Sequence, residues 1–270
     1  MAAARTPAQV YEDFFVPALF VPCAAELLEL VPPDEGDRVL DVACGSGAVA
    51  RAAAARVGPR GSVTGVDLRP GMIEVAASLP PVSGPPVDWR VGDALALEDG
   101  DGSYDVVLCQ QGIQFFPDQA GAVREMRRVL ARGGRVGLAV WQGMDRNDFF
   151  RELTEVEARH LEALGVTYEE LAGPFLHGDP EWLHALLADS GFGDVRVEER
   201  TFEARFAADG FVENVEFAYS AVVPEFSDDP ERFAAFVEAV DRDARETLER
   251  HRDGAEIAFD VAVNVGAGVA

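Results

Sequence analysis

Between positions 37 and 141 the chain alternates short, continuous apolar runs with stretches whose apolar residues recur every three or four positions. The runs lie at 39–43, 104–109 and 135–140, and shorter apolar stretches broken by polar residues lie at 62–66 and 87–91. Near-continuous runs mark strands covered on both faces, and broken ones fit strands nearer an edge. The stretches between them carry helical faces. Met72, Ile73, Ala76 and Leu79 line one such face after Pro70. Val123, Met126, Val129 and Leu130 line another, opened by Pro117-Asp118 and stopped by Gly133-Gly134. Strands alternating with helices predict right-handed crossovers and an α/β fold: a doubly wound, mostly parallel, seven-stranded sheet.

The flanks read differently. Thr6, Pro7 and Gln9 form a helix start for the segment 6–31, which Pro17 and Pro22 are expected to interrupt. After position 142 the pattern loosens into helices with charged faces. Asp179-Pro180 caps a helix bearing Leu183, Leu186 and Leu187 and closed by Gly191. Segments 209–220 and 229–250 have helical period. Ile257, Phe259, Val261, Val263 and Val265 alternate strictly, which predicts a strand beside a second one at 194–206. The expected organisation is an N-terminal helical segment at 1–35, an α/β core at 36–142, and a helical cap at 143–270 interleaved with the last sheet elements.

Charge narrows the partners. The 48 acids against 23 bases give a net charge of −25, and every base is arginine. So acidic a surface repels phosphate backbones and argues against a nucleic-acid substrate. No apolar run approaches the ~18 residues of a membrane span, and the N-terminus lacks a long apolar leader core, so a cytoplasmic protein without a membrane partner is expected. Cys23, Cys44 and Cys109 are scattered and odd in number, which predicts buried free thiols rather than disulfides or a metal site.

The chemistry concentrates around 41–47. Asp41 lies inside the first strand, and Gly45 and Gly47 follow it at the turn into a helix beginning at Ala48. Residues without side chains let a ligand approach the backbone at a helix N-terminus. Gly45-x-Gly47-x-x-Ala50 also satisfies the loose dinucleotide fingerprint, so a nicotinamide-dependent oxidoreductase and a non-catalytic cofactor-binding protein stay open as alternatives. Asp67 ends the second strand, where a carboxylate can take both hydroxyls of a ribose.

The stretch from Asp41 to Gly47 resembles the first motif of class I S-adenosylmethionine-dependent methyltransferases, an acid followed by three alternate glycines, with Ala43 in place of the first glycine. Three more elements follow in order: Asp67-Leu68, Gly92-Asp93-Ala94, and the strand-four segment 103–111. A helix ending in Arg132-Gly133-Gly134 is similar to the branch containing ubiquinone and menaquinone methyltransferases. The resemblance implies S-adenosyl-L-methionine as cofactor, held by Asp41, Ala43, Gly45, Gly47, Asp67 and Leu68. It places Met72 against the adenine, Asp93 and the Ala94 N–H on the ring edge, and the Gln110 carbonyl on the cofactor. The methyl acceptor is expected to be a small molecule, met by Phe115 and Trp141 beyond strands four and five. Methyl transfer needs an in-line nucleophile and dry surroundings more than a base. His177, in the loop before the capped helix, is the candidate base, and no metal is expected.

Overall fold

The computed structural model describes residues 6–219, 226 and 229–270, without the side chains of 218 and 219. The chain divides into two compact units that it visits in turn: one comprises 20–143, 174–201 and 262–270, the other 1–19, 144–173 and 202–261.

The first unit holds the sheet. Its strands are β1 (Arg38–Val42), β2 (Ser62–Asp67), β3 (Val87–Val91), β4 (Tyr104–Gln110) and β5 (Leu130–Trp141), joined by stretches of β6 (Gly193–Ala207) and β8 (Glu256–Val269). Their order is β3-β2-β1-β4-β5-β8-β6. Pairing is parallel from β3 through β5, and β8 runs antiparallel to β5 with Trp141 opposite Val263. Seven strands therefore form the predicted doubly wound sheet, and the two-residue β7 (Arg252–Asp253) hangs off β8 as an eighth. Strand order reverses between β1 and β4, so the crevice of the sheet opens at their carboxyl ends.

Helices α2 (Val21–Leu30), α3 (Ala48–Val57), α4 (Pro70–Ser78), α5 (Gln119–Val129) and α8 (Pro180–Asp189) belong to the same unit. The core that α5 and α8 share with the strands includes Leu40, Val107, Met126, Leu138, Leu183 and Leu187, all fully buried. Asp118 and Asp179 cap the two helices by accepting the Gly121 and Glu181 N–H groups, as the sequence suggests.

Three boundaries differ from expectation. Gly133-Gly134 does not stop α5, which ends at Val129; the chain turns directly into β5, and 131–134 bulges out of register between Leu130, opposite Tyr104, and Arg135, opposite Val106. Pro17 does not break the first helical segment. It lies inside a π-helical stretch, Tyr11–Phe20, between α1 (Pro7–Val10) and α2, and Pro22 sits in the first turn of α2, where a missing N–H costs nothing. The helix expected over 229–250 splits at Ala244 into α10 (Pro230–Asp243) and α11 (Arg245–Arg250).

The second unit packs on its own aromatic core. Phe149 stacks on Phe259 at 3.9 Å between ring centroids, and Phe206 and Phe211 surround them with Phe14. Phe149 and Phe211 are thus interior rings of this unit. Glu157 of α6 (Asp148–Leu161) and Glu216 of α9 (Phe211–Tyr219) are buried there; burial pushes Glu157 up to about 7 and Glu216 well above the usual carboxylate range. Among the described residues no helix is long and apolar enough to cross a membrane.

Candidate active site

The turn after β1 is built by backbone conformations that few residues adopt. Ala43, Gly45 and Gly47 all have positive φ, at 57°, 56° and 97°. Gly47 and Gly45 meet that demand without strain; Ala43 does not, because its Cβ crowds its own carbonyl in the left-handed region. Its methyl also limits its neighbour, since a Cβ on Gly112 would lie 2.6 Å from it. Gly47 has a second reason to be glycine: a Cβ there would stand 2.2 Å from the Trp89 ring, which also covers Gly65.

Two buried carboxylates hold this loop from below. Asp67 Oδ2 accepts the Gly45 N–H at 2.9 Å, and its Oδ1 accepts the Arg69 N–H at 2.9 Å. Each oxygen keeps a second lone pair for another donor. Asp41 is only 1% exposed; its Oδ2 accepts the Ala50 N–H from the first turn of α3 at 2.9 Å, and its Oδ1 is buried with no hydrogen-bond partner. Burial, with Asp67 as a lesser contributor and the Ala50 N–H opposing, pushes the Asp41 carboxyl up to about 8. At neutral pH Asp41 is therefore a neutral acid beneath the loop.

The other expected cofactor residues take the places their strands give them. Leu68 is 68% exposed just beyond β2, and Val91, opposite Asp67 on β3, is also exposed. Met72 is buried in the first turn of α4. Asp93 is exposed past β3 and turns back to accept the Leu95 N–H at 2.9 Å, with Ala94 between them. Exposed apolar side chains at the ends of β2 and β3, beside the open Asp93 carboxylate, form a surface suited to a flat, partly apolar ring.

Beyond β4 and β5 the surroundings change to amides and aromatics. Phe115 is exposed, in the turn Ile113–Phe115. Trp141 is buried rather than open, with Phe20 at 6.1 Å on one side and the Phe175 ring at 6.4 Å nearly parallel on another. Sequence reasoning missed three glutamines as a group. Gln110 donates through Nε2 to the Phe20 carbonyl at 3.0 Å. Gln111, strained at φ 53°, accepts the Trp141 N–H at 3.0 Å and the Gln114 Nε2–H at 2.8 Å on one oxygen. The signal was present as Gln110-Gln111-x-x-Gln114, a run of amides directly after a buried strand.

His177 does not stand free in its loop. Its ring stacks on Trp182 at 4.5 Å, and the following Gly178 carbonyl accepts the Asn264 Nδ2–H at 2.7 Å. A Cβ at Gly178 would collide with the Gly143 backbone, so the loop is pinned at the end of β5. All three thiols are buried, and burial pushes Cys23 and Cys109 up to about 12 and Cys44 well above its ordinary value.

The residues from 39 to 134 match a methyltransferase domain. Nocamycin O-methyltransferase of Saccharothrix syringae is 34% identical over 198 residues, 69% of this chain and 70% of that protein. The chain belongs to the methyltransferase family. Demethylmenaquinone methyltransferase of Staphylococcus aureus is 40% identical over 102 residues, and there the match spans only 42% of the relative's length. Phosphoethanolamine N-methyltransferase 2 of Haemonchus contortus, solved with S-adenosyl-L-methionine, shares the fold with a TM-score of 0.57 at 23% identity, over 99% of this chain and 58% of that one. This methyltransferase has the class I fold and is S-adenosylmethionine-dependent, and the findings favour neither alternative left open by the sequence.

Proposed function

We propose that this methyltransferase transfers the methyl group to an oxygen of a neutral, ring-bearing and largely apolar small molecule. The observation that carries this reading is the Phe20–Trp141–Phe175 aromatic wall at the carboxyl end of β5, adjoining the strand order reversal where the glycine loop lies. The oxygen acceptor follows the named reaction of the relative that matches over most of its length, nocamycin O-methyltransferase.

The residues present fit the cofactor. Asp67 retains a free lone pair on each oxygen for the ribose hydroxyls, Asp41 Oδ1 is a buried carboxyl atom without a partner under the loop, and Gly45 carries no side chain to block the backbone. Leu68 and Met72 would lie against the adenine, Asp93 and the Ala94 N–H would hold its edge, and the Gln110 carbonyl with the turn at Ala43 and Gly47 would hold the methionine end. The bound sulfonium supplies an activated methyl group to an in-line nucleophile. This chain's own contribution is to hold the acceptor against Phe115 and the Phe20 and Phe175 rings that cover Trp141, and to keep water away from it, which supplies much of the acceleration of a direct displacement. His177, stacked on Trp182, has no part in this scheme as a base. The acidic surface disfavours polyanionic acceptors such as nucleic acids.

The test is product formation. The purified protein with S-adenosylmethionine and a panel of phenols, hydroxyquinones, amines and an oligonucleotide should release S-adenosylhomocysteine with hydroxylated ring compounds. Turnover confined to amines or to the oligonucleotide would overturn the reading.

A further inference from the structure

Amide orientation around Trp141 is fixed by the backbone, and it leaves one acceptor with a defined task. The Trp141 N–H can only donate, so the Gln111 atom 3.0 Å from it is the amide oxygen; the reversed amide would set two donors against each other. The Gln111 Nε2 then faces Cys23 Sγ at 3.6 Å. Gln114 reaches that same Gln111 oxygen at 2.8 Å, so it must present its NH2 there. Its own Oε1 is consequently turned the other way, buried and without any hydrogen-bond donor. Gln114 is 8% exposed and lies in the turn that carries the exposed Phe115, one residue along. An acceptor sealed from water without a donor is costly, and a ligand that brings a donor recovers that cost.

We propose that Gln114 Oε1 accepts the hydrogen bond of a neutral hydroxyl on the methyl acceptor and thereby selects hydroxyl compounds over their ethers and over carboxylates. Gln111 is the positioning residue: by tying its oxygen to the Trp141 backbone it prevents the Gln114 amide from turning over. The inference rests on the reading of an apolar, hydroxylated acceptor given above. A hydroxyl whose proton points at Gln114 keeps a lone pair free for the methyl carbon. As the new O–CH3 bond forms and the C–S bond breaks, the sulfur keeps the bonding pair and the oxygen keeps its proton as a protonated ether, which gives that proton to solvent as the product leaves; the amide orients and carries no proton. A carboxylate, which offers only acceptors, would face the Gln114 oxygen with like partial charge.

The experiment uses 1-naphthol and 1-methoxynaphthalene, which share the same ring system but differ in the donor, titrated into the full chain saturated with S-adenosylhomocysteine. Wild type should bind 1-naphthol roughly tenfold more tightly, the scale of one hydrogen bond to a buried partner. Gln114→Met, similar in length but with neither donor nor acceptor, should bring the two affinities within about twofold while leaving S-adenosylhomocysteine affinity unchanged. Should Gln114→Met fail to fold, Gln114→Leu, which also brings no amide oxygen, should show the same loss of preference. A naphthol preference that survives in either variant overturns the assignment. Equal wild-type binding of both compounds also overturns it and leaves the apolar-acceptor reading standing. Binding of neither removes that reading and the Gln114 assignment together.

Discussion

Asp41→Asn should change the pH dependence of stability in a way no other substitution at the loop would. The Asp41 carboxyl sits at about 8 in the folded chain against 3.8 when unfolded. Its contribution is fully present below pH 3.8 and is lost as pH rises through the folded value, because in that window the unfolded chain has released a proton that the folded chain retains. The slope is about 1.4 kcal/mol per pH unit, so between pH 5 and pH 7 Asp41 alone costs the fold about 2.5 kcal/mol. Glu157, pushed up to about 7, and Glu216 add losses of the same sign, which is why wild type alone cannot isolate Asp41. Asn cannot ionise, yet its oxygen can still accept the Ala50 N–H, so the variant keeps the contact and drops the titration. Urea unfolding of both proteins at pH 5 and pH 7 is the assay. The stability difference, variant minus wild type, should rise by about 2.5 kcal/mol across that interval. A difference that stays constant with pH would refute the neutral-acid account of Asp41.

Other expectations follow from the same geometry. Ala43→Gly should stabilise the fold by about 1 kcal/mol in thermal or urea unfolding, by relieving the positive φ at 57°. Gly112→Ala should destabilise by about 1–3 kcal/mol through overpacking, and Ala43→Gly should recover part of that loss, because the two Cβ atoms compete for one space; strictly additive effects would contradict the contact. Asp67→Ala should weaken S-adenosylhomocysteine by about 1.5–3 kcal/mol in calorimetry, and unchanged affinity would remove Asp67 from the ribose. Phe175→Leu should impair turnover while leaving cofactor affinity intact, since it opens the aromatic wall and leaves the buried Trp141 in place.

Strands β1, β4 and β5 were legible because strands buried on both faces write near-continuous apolar runs, and the loop because glycine is the ordinary solution to a positive φ. Less visible was anything decided by a few backbone hydrogen bonds. The bulge at 131–134 looked like a helix stop because Gly133 serves equally at either, and only partner atoms distant in sequence, such as Ala270 O just past β8 accepting the Gly133 N–H, settle which. Pro17 reads as a breaker, yet a π-helical stretch accommodates it. The glutamines were overlooked because an amide's role depends on which way it faces, and that is set by Trp141 N–H and Phe20 C=O, distant in sequence. Burial of Trp141 likewise depends on Phe20 and Phe175, which no local pattern ties to it.

Cys23, Cys44 and Cys109 are buried, and all three fall in the unit that contains the glycine loop. The other unit's described residues include no cysteine. A thiol reagent added to the native protein therefore works as a stopwatch for one part of the molecule only. A modification event records an opening of the sheet unit, and movements of the other unit pass unrecorded. Cys23 times the release of Gln111, while Cys44 times the turn between β1 and α3. Ligand that holds the loop closed should slow the Cys44 reaction by the factor 1 + [L]/Kd, so cofactor affinity could be read from a labelling rate without any knowledge of the methyl acceptor.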